Sequence, residues 1–231
     1  MQFVDSSSFG VRSAIYEVAR PDVPLEFVLF PMIHIGEAGY YEDVGERAGK
    51  CDVLLVEGVP SLPVRIASRA YARFASRLGL VTQKRLNVRS IGPRVLNVDM
   101  CPAEFDAAHA QLPLAARLLL PVVLPAYSLW FRFAGTRDQL AASLTTNDLR
   151  SRADLLSSAS YREALDDLIL HKRDRIFLNR LQRFFTEHSS EPLRAGIIYG
   201  AGHMPVITRY LLGPLRYRVR SATWIQVFAL T

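Results

Sequence analysis

Cysteine is scarce in this sequence, since Cys51 and Cys101 are the only two among 231 residues. Two cysteines cannot build a disulfide framework, which excludes a small secreted domain stapled by disulfides. The first 21 residues also contain no basic segment followed by an apolar run and a small-residue cleavage site, as a secretion signal would require. We therefore expect a cytoplasmic protein in which both cysteines are small buried apolar residues and not redox groups.

Lysine is nearly absent, because only Lys50, Lys84 and Lys172 among the 28 basic residues are lysines. The net charge is +6, but the basic residues are dispersed and form no dense block with interleaved aromatics. We therefore expect no nucleic-acid partner. Half of the residues are hydrophobic, which excludes intrinsic disorder. The length suits one domain, with or without an inserted subdomain.

No uninterrupted apolar run is long enough to cross a membrane. Arg117, Arg132 and three prolines interrupt the most apolar stretch, Leu112–Phe133, whereas a transmembrane helix needs about 20 consecutive apolar residues. A buried or helix-packing role is favoured for this stretch. Peripheral contact with a membrane or a partner protein stays open as an alternative, and a transmembrane span is the least favoured.

Short apolar runs separated by helical patterns predict an α/β fold with a mixed central β-sheet flanked by helices. Residues Val11–Ala19 and Leu25–Ile35 predict an opening hairpin, and Gly39–Gly49 predicts a crossover helix. Residues from about 102 to 156 predict a helical insertion within a single domain, 1–231. Four further segments are typical of strands, with the last read as an edge strand or a final strand pair: Asp52–Glu57, Arg94–Met100, Gly196–Tyr199 and Tyr217–Leu230.

Polar side chains follow four of the predicted strands. Because ligands bind at the C-terminal ends of strands in open α/β sheets, we expect these side chains to share one mouth. Two imidazoles and a carboxylate from different strands form the donor set of a divalent-metal site with positions left for water and substrate. Gly200 and Gly202 permit close backbone approach there, or a positive φ. The four strand-end residues are His34, Glu57, Asp99 and His203.

Each strand-end residue also has a purely structural interpretation. A histidine at a strand end is usually a hydrogen-bonded rim residue. Glu57 can cap the next helix or accept backbone N–H groups, and Asp99 can begin a helix. The coincidence of several such endings adds weight to a shared site, and both interpretations stay open.

Arg173 and Asp174 lie within a long helical pattern, Ser160–Glu187. Asp174 falls on the apolar stripe of this helix, so its charge needs a partner, and Arg173 borders an apolar face. Spacing alone favours the alternative of a surface ion pair, in which Asp166 or Asp167 contacts a basic residue of the next turn.

The order and spacing of four motifs resemble those of the TraB/PrgY family. This family is similar to the Tiki metalloproteases and, more distantly, to erythromycin-esterase-like and haem-binding proteins of one α/β superfamily. The resemblance extends from about Phe27 to Leu212, and Pro31 stands where the family usually has glycine three residues before the first histidine. The matching segments are Pro31–Gly36, Asp52–Gly58, Arg173-Asp174 and Gly200–Pro205.

The resemblance implies a divalent metal held by His34, Glu57 and His203, with Arg173 and Asp174 on a helix that lines the site. Similarity to Tiki proteins favours Mn or Co, and Zn or Fe suit the same ligands. We therefore predict a metal-dependent hydrolase that acts on a peptide or another amide or ester by means of a metal-activated water.

Roles within this predicted site follow from side-chain chemistry. Asp99 would orient a ligating histidine or take a proton from water, and Arg173 would stabilise an oxyanion or hold a substrate carboxylate. Glu57 joins these two as a catalytic group, and Asp174, Gly200 and Gly202 are the predicted substrate-binding residues. The alternative is a non-catalytic protein that sequesters a signal peptide or a haem-like ligand. Neither the substrate nor the oligomeric state follows from the sequence.

Overall fold

A mixed β-sheet occupies the centre of the molecule. The structure, a computed structural model, describes residues 1–58, 75–112, 136–144 and 171–230 and the isolated positions 69, 72, 73, 114 and 117. Its strands are β1 (Val4–Ser7), β2 (Gly10–Arg20), β3 (Val23–Met32), β4 (Ile35–Gly36), β5 (Val53–Val56), β6 (Val81–Thr82), β7 (Arg94–Asn97), β8 (Arg194–Gly200) and β9 (Arg218–Ala229). Its α-helices are α1 (Ala38–Ala48), α2 (Pro102–Ala110), α3 (Arg137–Ser143), α4 (Lys172–His188) and α5 (Met204–Leu212).

The main sheet combines an antiparallel part with a parallel part. Its order is β1-β2-β3-β8-β5-β7, and β9 also pairs with β2. Strands β1, β3 and β9 are antiparallel to β2, whereas β3, β8, β5 and β7 are parallel to one another. The predicted α/β fold with a mixed sheet is therefore confirmed. The parallel part places the C-terminal ends of four strands at one edge.

Most of the predicted elements are present with shifted ends. The opening hairpin is β2–β3, the crossover helix is α1, and the segment 217–230 is a single long strand, β9. Helices α2 and α3 lie within the predicted insertion, and the rest of 102–156 lies outside the described residues. Strand β1 and the small sheet that β4 forms with β6 were not predicted from the sequence.

Aromatic packing between the sheet and α4 builds one side of the core. The Phe27 ring on β3 lies 5.2 Å from the Tyr217 ring and 6.4 Å from the Phe184 ring on α4. Phe27 is fully buried. On β8, a Cβ added at Gly196 would stand 2.7 Å from Leu54 Cδ2, so glycine permits the close packing of β8 on β5.

Proline is accommodated at position 31 by the end of a hydrogen-bonded ladder. Strand β2 pairs with β3 only as far as Leu29, so Pro31 lies beyond that ladder, although it still pairs with Tyr199 of β8 on the other side. Its carbonyl oxygen instead accepts hydrogen bonds from the hydroxyls of Ser13, at 2.7 Å, and Tyr40, at 3.2 Å. The departure from the family's usual glycine is therefore compatible with a regular strand before His34.

The two cysteines differ, which corrects one expectation. Cys51 is buried, but Cys101 is exposed. Cys101, and not Asp99, caps helix α2, because its Sγ accepts from the backbone N–H of Glu104 while the Glu104 carboxylate accepts from the N–H of Cys101. A cysteine occupies the place where serine or threonine usually completes a capping box.

No helix in the described part of the chain is both long and apolar enough to cross a membrane. Nearly all of the apolar stretch Leu112–Phe133 lies outside the described residues. Its expected helix packing and the alternative of membrane or partner contact therefore stay predictions.

The Phe27 cluster predicts a large loss of stability on truncation. Phe27→Ala should lower the free energy of unfolding by about 3–5 kcal/mol, because it removes a buried ring and leaves a cavity. Phe9 is 83% exposed, so Phe9→Ala should change the free energy of unfolding by less than about 0.5 kcal/mol. Urea denaturation of the three proteins measures both effects, and equal losses in the two variants would contradict the packing described.

Candidate active site

The four predicted strand-end residues follow parallel strands that are neighbours in the sheet. The four strands lie in the order β3, β8, β5 and β7, and the residues that follow them, in the same order, are His34, His203, Glu57 and Asp99. His203 closes a short 3₁₀ turn, Ala201–His203, that continues β8. All four residues therefore lie at one edge of the sheet.

Arg173, in the first turn of α4, joins two of the strand ends. Its Nε donates to Asp99 Oδ1 at 2.9 Å, and its Nη2 donates to Asp99 Oδ2 at 2.5 Å and also to Glu57 Oε1. The Arg173 side chain is 10% exposed, and the Asp99 side chain is fully buried. Burial alone would lower the pKa of Arg173, but the hydrogen bonds and charges of Asp99 and Glu57 raise it above the ordinary value. The guanidinium is therefore permanently charged.

Glu57 is held as a carboxylate by donors on both of its oxygens. Besides the Arg173 contact at Oε1, its Oε2 accepts the backbone N–H of Gly200 at 2.5 Å. Burial raises the pKa of Glu57, but Arg173, His34 and His203 lower it more strongly, to about 2. Glu57 is therefore ionised at neutral pH and is a weak proton acceptor.

The two glycines predicted as substrate-binding residues have different surroundings. The N–H of Gly200 is bonded to Glu57, and a Cβ at this position would lie 3.0 Å from Glu57 Oε2. Gly202 is exposed in the turn before His203. Neither glycine has a positive φ, so the predicted need for a left-handed backbone at these positions does not apply. The predicted close approach to the backbone does occur at Gly200, where the approaching group is the Glu57 carboxylate.

Asp99 supports the loop after β7 as well as Arg173. Its carboxylate accepts the backbone N–H of Met100 at 2.7 Å and that of Gly58 at 3.1 Å, which links the ends of β7 and β5. The side chain of Asn97 completes this link, because it donates to the Gly58 carbonyl and accepts the N–H of Asp99. No contact between Asp99 and a histidine is present among these bonds. Asp99 therefore positions Arg173, and the expected histidine-orienting role belongs to another residue.

That residue is Asp174, whose Oδ1 lies 2.6 Å from Nδ1 of His203. Both residues are buried, with 8% and 4% of their surfaces exposed. Asp174 therefore has a buried partner, as its place on the apolar stripe requires. The alternative of a surface ion pair at Asp166 or Asp167 stays untested, because both lie outside the described residues. Because a carboxylate only accepts, the neutral form of His203 carries its proton on Nδ1 and leaves the lone pair of Nε2 available.

His34 has a different partner and a different exposure. It is exposed, and its Nδ1 lies 2.7 Å from Oε1 of Gln83, which begins a short 3₁₀ helix, Gln83–Arg85. This contact of Gln83 was not predicted from the sequence. Gln83 belongs to none of the four motifs and lies 49 positions away in the chain, so only the fold brings it to His34.

Tyr199 packs beneath the polar groups. Its ring meets the His203 ring edge-on at 4.8 Å, and the guanidinium of Arg173 lies 5.7 Å from the ring centroid. The hydroxyl is buried. Burial raises the pKa of Tyr199 far above its ordinary value, so the phenol stays neutral.

No three His, Cys, Asp or Glu side chains converge as a ready metal-binding cluster within residues 1–58, 75–112, 136–144 and 171–230. The chemistry of the donor set nevertheless fits a divalent cation. The Nε2 atoms of His34 and His203 are not occupied by the partners described above, and Glu57 is ionised. In the described residues, three acidic side chains lie near two guanidiniums, those of Arg173 and of Arg180, which donates to the Asp99 carbonyl.

Comparison of the chain with protein families, with curated proteins and with solved structures gave no match. The resemblance to the TraB/PrgY family therefore stays a prediction that depends on the four motifs.

Removal of the central cation should destabilise the fold. Arg173→Met leaves Glu57 and Asp99 buried without their counter-charge, which should cost about 3–5 kcal/mol in the free energy of unfolding. Arg183 lies exposed on the same helix, so Arg183→Met is the matched control and should change it by less than about 0.5 kcal/mol. A loss below 1 kcal/mol in Arg173→Met would show that the guanidinium does not compensate these carboxylates.

Glu57 should also give the metal-free protein a stability that depends on pH. Its pKa is about 2 in the folded state and 4.5 ordinarily, so its stabilising contribution is complete above about pH 5 and disappears as the pH falls towards 2. The difference in unfolding free energy between wild type and Glu57→Gln should therefore shrink by about 3 kcal/mol over this range. Urea denaturation with a chelator present measures it, and Glu187→Gln, an exposed change on α4, is the control. A difference that stays constant with pH would contradict the assignment.

Proposed function

We propose that this chain is a metal-dependent hydrolase that cleaves an amide or ester bond, with His34, Glu57 and His203 as the groups that hold a divalent cation. The observation that carries the proposal is the buried Asp174–His203 pair, at 2.6 Å. Histidines that bind metals generally donate their other ring N–H to a carboxylate or carbonyl oxygen, which fixes the tautomer and raises the basicity of the ligating nitrogen. His203 has such a partner, and it follows a strand whose neighbours end in the other two groups.

The surrounding charges support a cation and not a further anion. In the described residues, the three acidic side chains Glu57, Asp99 and Asp174 lie near two guanidiniums, because Arg180 also donates to the Asp99 carbonyl. Glu57 has a lone pair to spare on each oxygen after its bonds to Arg173 and Gly200, because each carboxylate oxygen accepts two partners. A divalent cation at this place would remove the remaining imbalance.

The chain's own groups have separate duties in the proposed reaction. A bound divalent cation supplies Lewis acidity that polarises a substrate carbonyl and activates water near neutral pH. Asp174 holds the proton on Nδ1 of His203, and Asp99 fixes Arg173 so that the guanidinium keeps Glu57 ionised. Because its pKa is about 2, Glu57 contributes charge and position and does not store a proton.

A second candidate function is binding of a peptide or a haem-like ligand without turnover. It is favoured by the hydrogen bonds that already engage both oxygens of Glu57, and by the lack of a ready cluster of three metal ligands in the described residues. The two candidates use the same residues, so they differ in whether turnover follows binding.

Metal titration followed by a screen for hydrolysis separates these candidates. Elemental analysis and calorimetry with Mn²⁺, Co²⁺, Zn²⁺ and Fe²⁺ should find about one bound equivalent in the wild type, and His203→Ala and Glu57→Gln should lose it. His188, which bonds Glu191 at the far end of α4, provides the control, and His188→Ala should keep the metal. Screening of peptide and ester libraries should then find hydrolysis that a chelator abolishes and that falls at least about 100-fold in His203→Ala.

Two results would overturn the hydrolase proposal. One is the absence of specific binding for all four metals in the folded wild type. The other is metal binding with no turnover at any metal loading across the libraries, which would support the non-catalytic candidate.

A further inference from the structure

We propose that Gln83 is a positioning residue that fixes the tautomer and the ring orientation of His34. This inference rests on the proposed function for its meaning, since it concerns one of the groups assigned to the cation. It extends that proposal to a residue outside the four motifs. It also gives a structural role to the small β4–β6 sheet, which would hold Gln83 opposite His34.

Two hydrogen bonds connect Gln83 to His34. The backbone N–H of Gln83 donates to the His34 carbonyl at 2.9 Å, and the side-chain Oε1 lies 2.7 Å from Nδ1 of the imidazole. One residue therefore holds both the main chain and the ring of the other. Such a two-point contact restricts rotation of the histidine more than a side-chain contact alone.

The small sheet brings this glutamine into place. Strand β4 begins directly after His34 and pairs with β6 in the register Ile35↔Thr82 and Gly36↔Val81. Gln83 follows β6 directly, so the antiparallel register places it opposite His34. Leu86, buried at the end of the same short helix, packs into the main core and anchors the segment.

The chemistry of the amide determines the tautomer. An amide oxygen accepts and cannot donate, so the imidazole must carry its proton on Nδ1. The lone pair is then on Nε2, the nitrogen available to a cation. Neutral histidine in water prefers the opposite tautomer, with the proton on Nε2, so the contact with Gln83 selects the form that the proposed function needs.

The two imidazoles are consequently supported in unequal ways. His203 is buried and faces the carboxylate of Asp174, whereas His34 is exposed and faces a neutral amide. A carboxylate raises the basicity of a ligating histidine more than an amide does. We infer that Nε2 of His203 would bind a cation more strongly, and that the solvent-exposed His34 would be the weaker of the two ligands.

Long-range ¹H–¹⁵N NMR correlations of the metal-free protein, recorded well above the range where histidines titrate, test the tautomer. In the wild type, His34 and His203 should both show a protonated Nδ1, with signals assigned through their loss in His34→Ala and His203→Ala. In Gln83→Leu the His34 signal should change to the Nε2–H form while the His203 signal stays. Gln83→Glu, which keeps an acceptor in place, should retain Nδ1–H. Lys84→Leu, in the same short helix, is the control and should leave both histidine signals unchanged.

The tautomer readout distinguishes failure of this inference from failure of the proposed function. A wild-type His34 that carries its proton on Nε2, or a Gln83→Leu protein with unchanged signals, would overturn the role of Gln83 whatever the metal result. If the wild type binds a divalent metal, Gln83→Leu should bind it about 10–100-fold more weakly and Gln83→Glu should restore binding. If the wild type binds none but the tautomer changes as expected, the hydrolase proposal fails and the positioning role stands.

Discussion

Two buried carboxylates follow neighbouring parallel strands at one edge of the sheet, and the guanidinium of Arg173 compensates both of them. Glu57 and Asp99 both bond to it directly, and the Asp99 side chain is wholly removed from water. A buried carboxylate without a counter-charge is costly, so the loops after β5 and β7 can adopt these positions only while α4 supplies the cation. The site therefore constrains the packing of α4 on the sheet as much as the apolar core does.

The sheet topology explains how much of the site can be predicted from the sequence. In a parallel arrangement, the residue after each strand lies at the same edge, and the apolar runs before His34, Glu57, Asp99 and His203 are recognisable as buried strands. Membership of the edge therefore needs only local pattern. The order of the strands cannot be predicted from local pattern, because β8 lies between β3 and β5 in the sheet but comes far later in the chain. That order decides which polar residue is next to which.

Pairing within the site depends on contacts that local pattern does not encode. Asp99 and Asp174 are both candidates to orient a histidine, and the fold assigns His203 to Asp174 across 29 positions and Arg173 to Asp99 across 74. Gln83 carries no distinguishing signal, since an isolated glutamine after a two-residue strand resembles any surface residue. The exposed position of Cys101 follows from capping geometry at α2 and not from the usual burial of cysteine.

The adjacency of Arg173 and Asp174 has a geometric reason. Successive residues on an α-helix diverge by about 100°, so the first turn of α4 directs two neighbouring side chains towards different strand ends. Strands in a sheet lie about 4.8 Å apart, and the ends of β8, β5 and β7 therefore span about 10 Å. The long arginine reaches the two ends at β5 and β7, while the short aspartate reaches the turn after β8. A dipeptide of one long cation and one short anion thus joins three strand ends from a single helical turn, because the arginine bonds Glu57 and Asp99 while the aspartate orients His203.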